Sequence, residues 1–245
     1  MMERVAETSP RFKARIAGGL WLMCIITGMS AFVLRSPLIV IGDAAVTATN
    51  ILAKESLFRL GFAADLIAGA FYMGVTVLLY VLLKPVSRSL SLLAAFFGLA
   101  GIAIGAATSL TNLAALVLLG GGEYSSAFTT SQLQAMALMS LRLSFQGFLI
   151  SMVFFGFQCF LVGCLIVRST FLPRILGVLL AIGGSSYIIS SFATFLAPAF
   201  GARLSPFIIP AALLGEGSLT LWLLVKGVNA ERWKERASAA GEWRT

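Results

Sequence analysis

Histidine is missing from this chain, charge is scarce and cysteine is rare, and each shortage closes off a class of function. With no histidine at all, haem held by imidazole, histidine-ligated zinc and any Ser-His-Asp triad are excluded. Only 11% of residues are charged, against about 25% in an ordinary soluble domain. Too little polar surface is left to face water. The three cysteines, Cys24, Cys159 and Cys164, all fall inside apolar runs. Cys159 and Cys164 point to different faces of one expected helix, so they read as small apolar filler rather than as a bridge. No cluster of acids has the spacing of a metal site, and no cofactor motif is present.

Hydrophobic residues make up 59% of the chain, and the mean hydropathy is +0.96. The apolar residues collect into six runs, Ile16–Leu34, Leu60–Leu83, Leu90–Leu119, Leu141–Val167, Ile175–Ala197 and Phe207–Val225. Each is near or above the ~20 residues needed to cross a bilayer as a helix. The expected fold is therefore all-α: a polytopic transmembrane bundle of six spans. It divides into an N-terminal segment, 1–15, a transmembrane domain, 16–228, and a polar tail, 229–245. The first run lacks a small-residue cleavage site and continues into Arg35-Ser36-Pro37, so it is expected to be a retained span rather than a signal peptide.

The charge is +8, from eighteen bases and ten acids. Those bases flank apolar runs instead of lining a soluble face, which argues against nucleic acid. Arg4, Arg11, Lys13, Arg15, Lys84, Arg88, Arg168, Arg174, Lys226, Arg232, Lys234, Arg236 and Arg244 fall on one side. Only Arg35, Lys54, Arg59, Arg142 and Arg203 fall on the other. By the positive-inside rule both termini are expected to be cytoplasmic, and a bacterial inner membrane is the expected location. Trp233 and Trp243 read as interfacial anchors of the tail.

The longest connection, Arg35 to Arg59, is expected outside. Asp43 is a credible N-cap, and Val46, Ile51, Leu52 and Phe58 suggest an apolar stripe opposed by Asn50, Lys54 and Glu55. This predicts a helix between spans 1 and 2, lying on the membrane surface or capping the bundle, with Glu55 and Arg59 paired at i,i+4. Gly120-Gly121-Gly122-Glu123 should turn into a second surface helix over Ser125–Gln134.

The residues of most interest are polar ones at membrane depth. Glu216 interrupts the last run, where an isolated charge costs roughly 2.5–3.5 kcal/mol even by lenient scales. Gln158, Ser185 and Glu216 lie ten or eleven residues inward of Arg168, Arg174 and Lys226. At about 1.5 Å per residue that is near the midplane of a ~30 Å core. With Gly183, Gly184 and Ser186 they predict a middle polar layer. The simplest resting state of Glu216 is protonated, bonded to Gln158, Ser185 or Ser186, with Thr220 one turn away. A second layer, nearer the outside, comprises Asp65, Asn112, Arg142, Gln146 and the hydroxyls Ser190, Ser191 and Thr194. Asp65 shares a face with Tyr72, and an ion pair with Arg142 or Arg59 would neutralise it. Ordinary helix packing competes with function as an account of the Gly, Ser and Thr positions, and structure and function remain open for Glu216.

Several stretches together resemble the bacterial domain-of-unknown-function family 4386. These are Pro37–Ala45, Asn50–Asp65, Leu79–Val86, Val153–Gly156, Arg168–Ala181, Gly215-Glu216 and Leu221–Gly227. The resemblance runs from about Arg15 to Val228. It implies an integral membrane protein of about six helices whose activity is unassigned. It also implies a histidine near Ser144–Gln146, and in some members one at Gln158; this chain has neither, which argues against histidine-dependent chemistry. Three functions follow as expectations. The first is a bundle that binds or transports a small or lipidic ligand, with Glu216, Gln158, Ser185, Ser186, Asp65, Tyr72, Asn112, Arg142 and Gln146 as candidate ligand-binding residues. The second is a non-catalytic accessory or sensor protein. The third is an intramembrane enzyme acting on a lipid or isoprenoid, which the lack of a nucleophile–base pair disfavours. Membrane lipids are the expected partners, and a homodimer would supply the helices that six spans lack for a carrier.

Overall fold

A computed structural model describes residues 9–241, so Arg4, Trp243 and Arg244 lie outside the described residues. Its regular elements are all helical. They are α1 (Pro10–Arg35), α2 (Ala44–Ala53), α3 (Glu55–Leu83), α4 (Arg88–Leu119), α5 (Thr130–Arg168), α6 (Arg174–Leu196), α7 (Pro198–Ala212), α8 (Ser218–Val225) and α9 (Ala230–Ala239). A π-helical segment, Leu213–Gly217, joins α7 to α8. Five helices are long and apolar enough to cross a membrane. They become six if the bent pair Pro198–Ile208 and Pro210–Val225 counts as one span. The all-helical polytopic architecture read from composition is the one observed. Large apolar side chains such as Phe96, Leu110, Phe207 and Leu213 point outward, a pattern that suits lipid and not water.

The last span departs from expectation. Its helix begins at Pro198, not Phe207, and bends by 42° about Pro210. Pro206 and Pro210 sit inside α7, where a proline has no N–H to donate and its ring crowds the preceding turn. The chain absorbs this with a bend and then a π turn. A beginning at Pro198 is possible because Gly201 lies against the Thr194 backbone, where an added Cβ would come within 2.7 Å of Cα.

α5 is also longer than its apolar run, at 39 residues. No surface helix over Ser125–Gln134 precedes it. A short 3₁₀ turn, Glu123–Ala127, comes first, and Thr129 and Gln132 then start the helix as a reciprocal cap. The Gln132 N–H donates to Thr129 Oγ1 at 3.3 Å, and the Thr129 N–H donates to Gln132 Oε1 at 2.8 Å. This capping box fixes the helix start eleven residues ahead of the expected span.

Contacts group the residues into two compact units. Of the described residues, the first comprises 9–22, 72–101 and 152–241. Backbones touch there through glycine. Gly163 faces Gly177, Gly156 faces Gly184, and Gly18 sits against the Leu224 amide, with no room for a Cβ at any of them. This is the small-residue packing of membrane helices. α9 folds onto the same unit. Trp233, expected as an interfacial anchor, is instead buried and donates its indole N–H to the Leu82 carbonyl at 2.8 Å. The amphipathic pattern of α9 accounts for the difference, since Trp233 and Ala237 lie on one face one turn apart and both are buried.

The second unit comprises 23–71 and 102–151. α2 starts at Asp43, whose carboxylate accepts the Val46 N–H at 2.9 Å as expected. Its inward face is Thr47, Ala48 and Ile51, while Val46 and Leu52 are exposed. Ile51 and Phe58 join Leu38, Ala115, Leu116, Ala137 and Leu141 in one buried cluster, so α2 caps the ends of α4 and α5. Val46 and Leu52 fall outside it because each stands one residue, about 100° around the helix, from the buried face of Thr47, Ala48 and Ile51.

Candidate functional site

The site grows from the π turn. A π turn inserts one extra residue into a helical turn and swings the following side chains around the axis. Gly215 allows the turn to press on α6, for an added Cβ would come within 2.7 Å of the Leu179 carbonyl. Glu216 is thereby aimed between α1 and α6 and is half-buried. Its Oε2 accepts the Trp21 indole N–H at 3.3 Å, and its Oε1 accepts the Tyr187 hydroxyl at 2.6 Å. These partners replace Gln158, Ser185 and Ser186. The two serines bond back to their own helix, Ser185 to the Ala181 carbonyl and Ser186 to the Gly183 carbonyl. Nor does Thr220 assist, since its buried hydroxyl has no partner.

The chemistry of the two donors differs. An indole can only donate, whereas a phenol can donate or accept. Oε2 must therefore accept from Trp21 in either protonation state of Glu216. At Oε1 the Tyr187 hydroxyl donates to the carboxylate; when the carboxyl takes up a proton its own O–H can donate there instead, and the phenol hydroxyl need only turn to accept it. No cation pairs with Glu216 among the described residues.

A second hydrogen-bonded group adjoins it. Gln158 is 1% exposed; its Oε1 accepts from the Tyr72 hydroxyl at 3.0 Å and its Nε2 donates to Thr76 Oγ1 at 3.1 Å. Aromatic rings link this group to the carboxylate. Tyr72 packs edge-on to Trp21 with centroids 6.0 Å apart. Phe155 lies between Tyr72 and Tyr187, at 4.9 and 5.5 Å. Five helical elements thus converge on one cluster, made of Trp21, Tyr72, Thr76, Phe155, Gln158, Tyr187 and Glu216. Trp21 and Tyr187 were missed from sequence. Their one signal is that an aromatic with a polar tip can satisfy a buried acid from a distant segment.

The remaining candidates gather in the second unit. Asp65 pairs with Arg35, in place of Arg142 or Arg59. Gly61 makes this pair feasible, because the Arg35 side chain lies across the space a Cβ would fill. Arg59 bonds Glu55 at 2.7 Å as expected. Asn112 is buried, while Arg142 and Gln146 are exposed on α5. None of these three bonds to Asp65 among the described residues. Among the described residues no group of three or more His, Cys, Asp or Glu could hold a metal. Two cavities stand out, and Glu216 lines neither. One is a slot beside Gln158 and Ser91 too tight for water. The other is a basin of about 610 Å³ bordered by Arg11, Lys226 and Arg232.

The sequence profile of the "Domain of unknown function (DUF4386)" matches residues 16–227. The chain belongs to the DUF4386 family. The match reaches into every span and covers all of the Glu216 cluster. A further relative of this DUF4386 protein is an "Uncharacterized protein" of Archaeoglobus fulgidus. It is 29% identical over 153 residues, covering 62% of this chain and 75% of that protein. No solved structure matches.

Proposed function

We propose that this DUF4386 protein binds a small or lipidic ligand within the membrane, and that Glu216 is the group that exchanges a proton, or meets a cationic moiety, as the ligand comes and goes. One observation carries the reading. A carboxylate at bilayer depth stands on a π turn of a proline-bent helix and is held by donors alone. Purely structural acids on membrane-spanning helices are expected to find a cation, as Asp65 does in Arg35. The weak helical ladder around Pro206 and Pro210 supplies a place for the segment to open beside Glu216. The sidedness of the flanking bases favours cytoplasmic termini in an inner membrane, and a homodimer would enlarge the bundle.

The non-catalytic accessory reading has its own support, which is the aromatic filling around Glu216. The two readings part on one experiment. Infrared spectra of the protein in lipid, recorded from pH 5 to 9 with and without native lipid extract, report the carboxyl stretch directly. Under the binding reading, a carboxyl band changes with pH or extract in wild type and is missing in Glu216→Gln. A band that stays fixed under all conditions, with equal melting of both proteins, leaves the accessory role instead.

A further inference from the structure

The basin of about 610 Å³ lies at the end of the molecule where α1, α8 and α9 meet the connection Thr170–Pro173. Its size falls within the range of ~300–1,000 Å³ typical of ligand sites. Its wall has two characters. Phe171, Leu172 and Trp222 form an apolar side continuous with the last span, and Arg11, Lys226 and Arg232 border the rest. Glu231 is the one acid there, and no base of the basin forms an ion pair with it.

The bases are positioned, not loose. Arg11 donates from Nε to the Lys226 carbonyl at 3.2 Å, and Arg232 donates from Nη1 to the Thr170 carbonyl at 3.3 Å. Each guanidinium keeps further N–H groups for a ligand. Gly227, at φ +70°, turns the chain tightly over Arg11, and Lys226 borders the same basin as both guanidinium groups. Carbonyl bonds orient Arg11 and Arg232 but leave their charge without an acid partner among the described residues. An anion with several acceptor oxygens would satisfy all three bases, and the aromatic side would accept the carbon next to it. Phosphate on an apolar chain has that chemistry, and basic pockets at the ends of membrane helices are suited to it.

We infer that this basin is a binding site for the phosphate headgroup of an anionic phospholipid, independent of Glu216. Removing two bases should weaken binding about thirtyfold, taking about 1 kcal/mol per base at a membrane surface. Lys226→Gln with Arg232→Gln is the variant to make. Arg11 is left in place because it also caps α8. The control is Arg88→Gln with Arg174→Gln, which removes equal charge from exposed bases outside the basin.

Native mass spectrometry and melting in detergent, with phosphatidylglycerol, phosphatidylcholine or inorganic phosphate added, supply the readout. The inference expects tight, salt-sensitive phosphatidylglycerol binding that falls about thirtyfold in the basin variant and less than threefold in the control, with both variants still folded in the absence of lipid. Equal losses in basin variant and control would reduce the effect to diffuse surface charge and overturn it. So would phosphatidylcholine binding as tightly as phosphatidylglycerol. If inorganic phosphate displaces the lipid at comparable concentration, the basin serves a soluble phosphate compound, and the lipid assignment fails.

Discussion

Replacing Gly98 with alanine tests how Gln158 is held. Gly98 is buried on α4, and a Cβ placed there would lie 2.5–2.6 Å from the Gln158 amide atoms. Ordinary contact needs about 1 Å more. The amide is the far end of a flexible side chain, but two hydrogen bonds and full burial pin it. Retreating by about 1 Å would stretch both bonds, now 3.0 and 3.1 Å, beyond useful length. Two such bonds contribute about 1 kcal/mol each, and the groups left unsatisfied cost about 1–3 kcal/mol more. Better helix propensity returns about 1 kcal/mol. The net loss is about 2–4 kcal/mol. Gln158→Ala clears the space, so Gly98→Ala in that background should cost nothing or stabilise slightly. The assay is a double-mutant cycle on reversible unfolding in mixed micelles. A coupling energy of about 2–4 kcal/mol is expected. Strictly additive costs would refute the packing of Gln158 against Gly98.

Two further perturbations probe other joints. Trp233→Phe keeps most of the buried ring but strands the Leu82 carbonyl, so stability should fall by about 1–2 kcal/mol and proteolysis within α9 should quicken; unchanged proteolysis would count against docking of that helix. Asp65→Asn leaves Arg35 charged and unpaired among apolar helices, at a cost of about 1–3 kcal/mol. Adding Arg35→Gln should recover part of that loss, and a further loss in the double variant would show that Asp65 and Arg35 act separately.

Much of the fold is legible because bilayer thickness dictates long apolar runs, and those runs stand out in this chain. Local chemistry is legible too, as in the Asp43 cap and the Glu55–Arg59 pair. Counting residues from a flanking base gives the height of Glu216 or Gln158 but not the direction each faces. Direction was lost where the helix departs from 3.6 residues per turn. The π turn at Leu213–Gly217 broke the expected alignment of Glu216 with Thr220, and Pro210 redirected the helix ahead of it. The partners were hidden for another reason. Trp21 is 195 residues from Glu216 in sequence, and an aromatic in an apolar run looks like any lipid-facing ring. Gly61 shows the same difficulty in reverse, since only the structure reveals that its missing side chain gives Arg35 its path to Asp65.

The capping of α8 has a temporal side. Arg11 and Arg15 close the carbonyls of Lys226 and Val225 across 215 and 210 residues of chain, and Trp21 waits equally long for its acid. At synthesis rates of about 5–20 residues per second, the first span stays in the membrane for roughly 10–40 s before its permanent neighbours exist. During that interval its arginines and indole N–H must be held by lipid headgroups, water or an insertion factor. Nascent chains stopped before Gly215 should therefore be preferred substrates for membrane quality control, and completion of the last span is the event that ends their vulnerability.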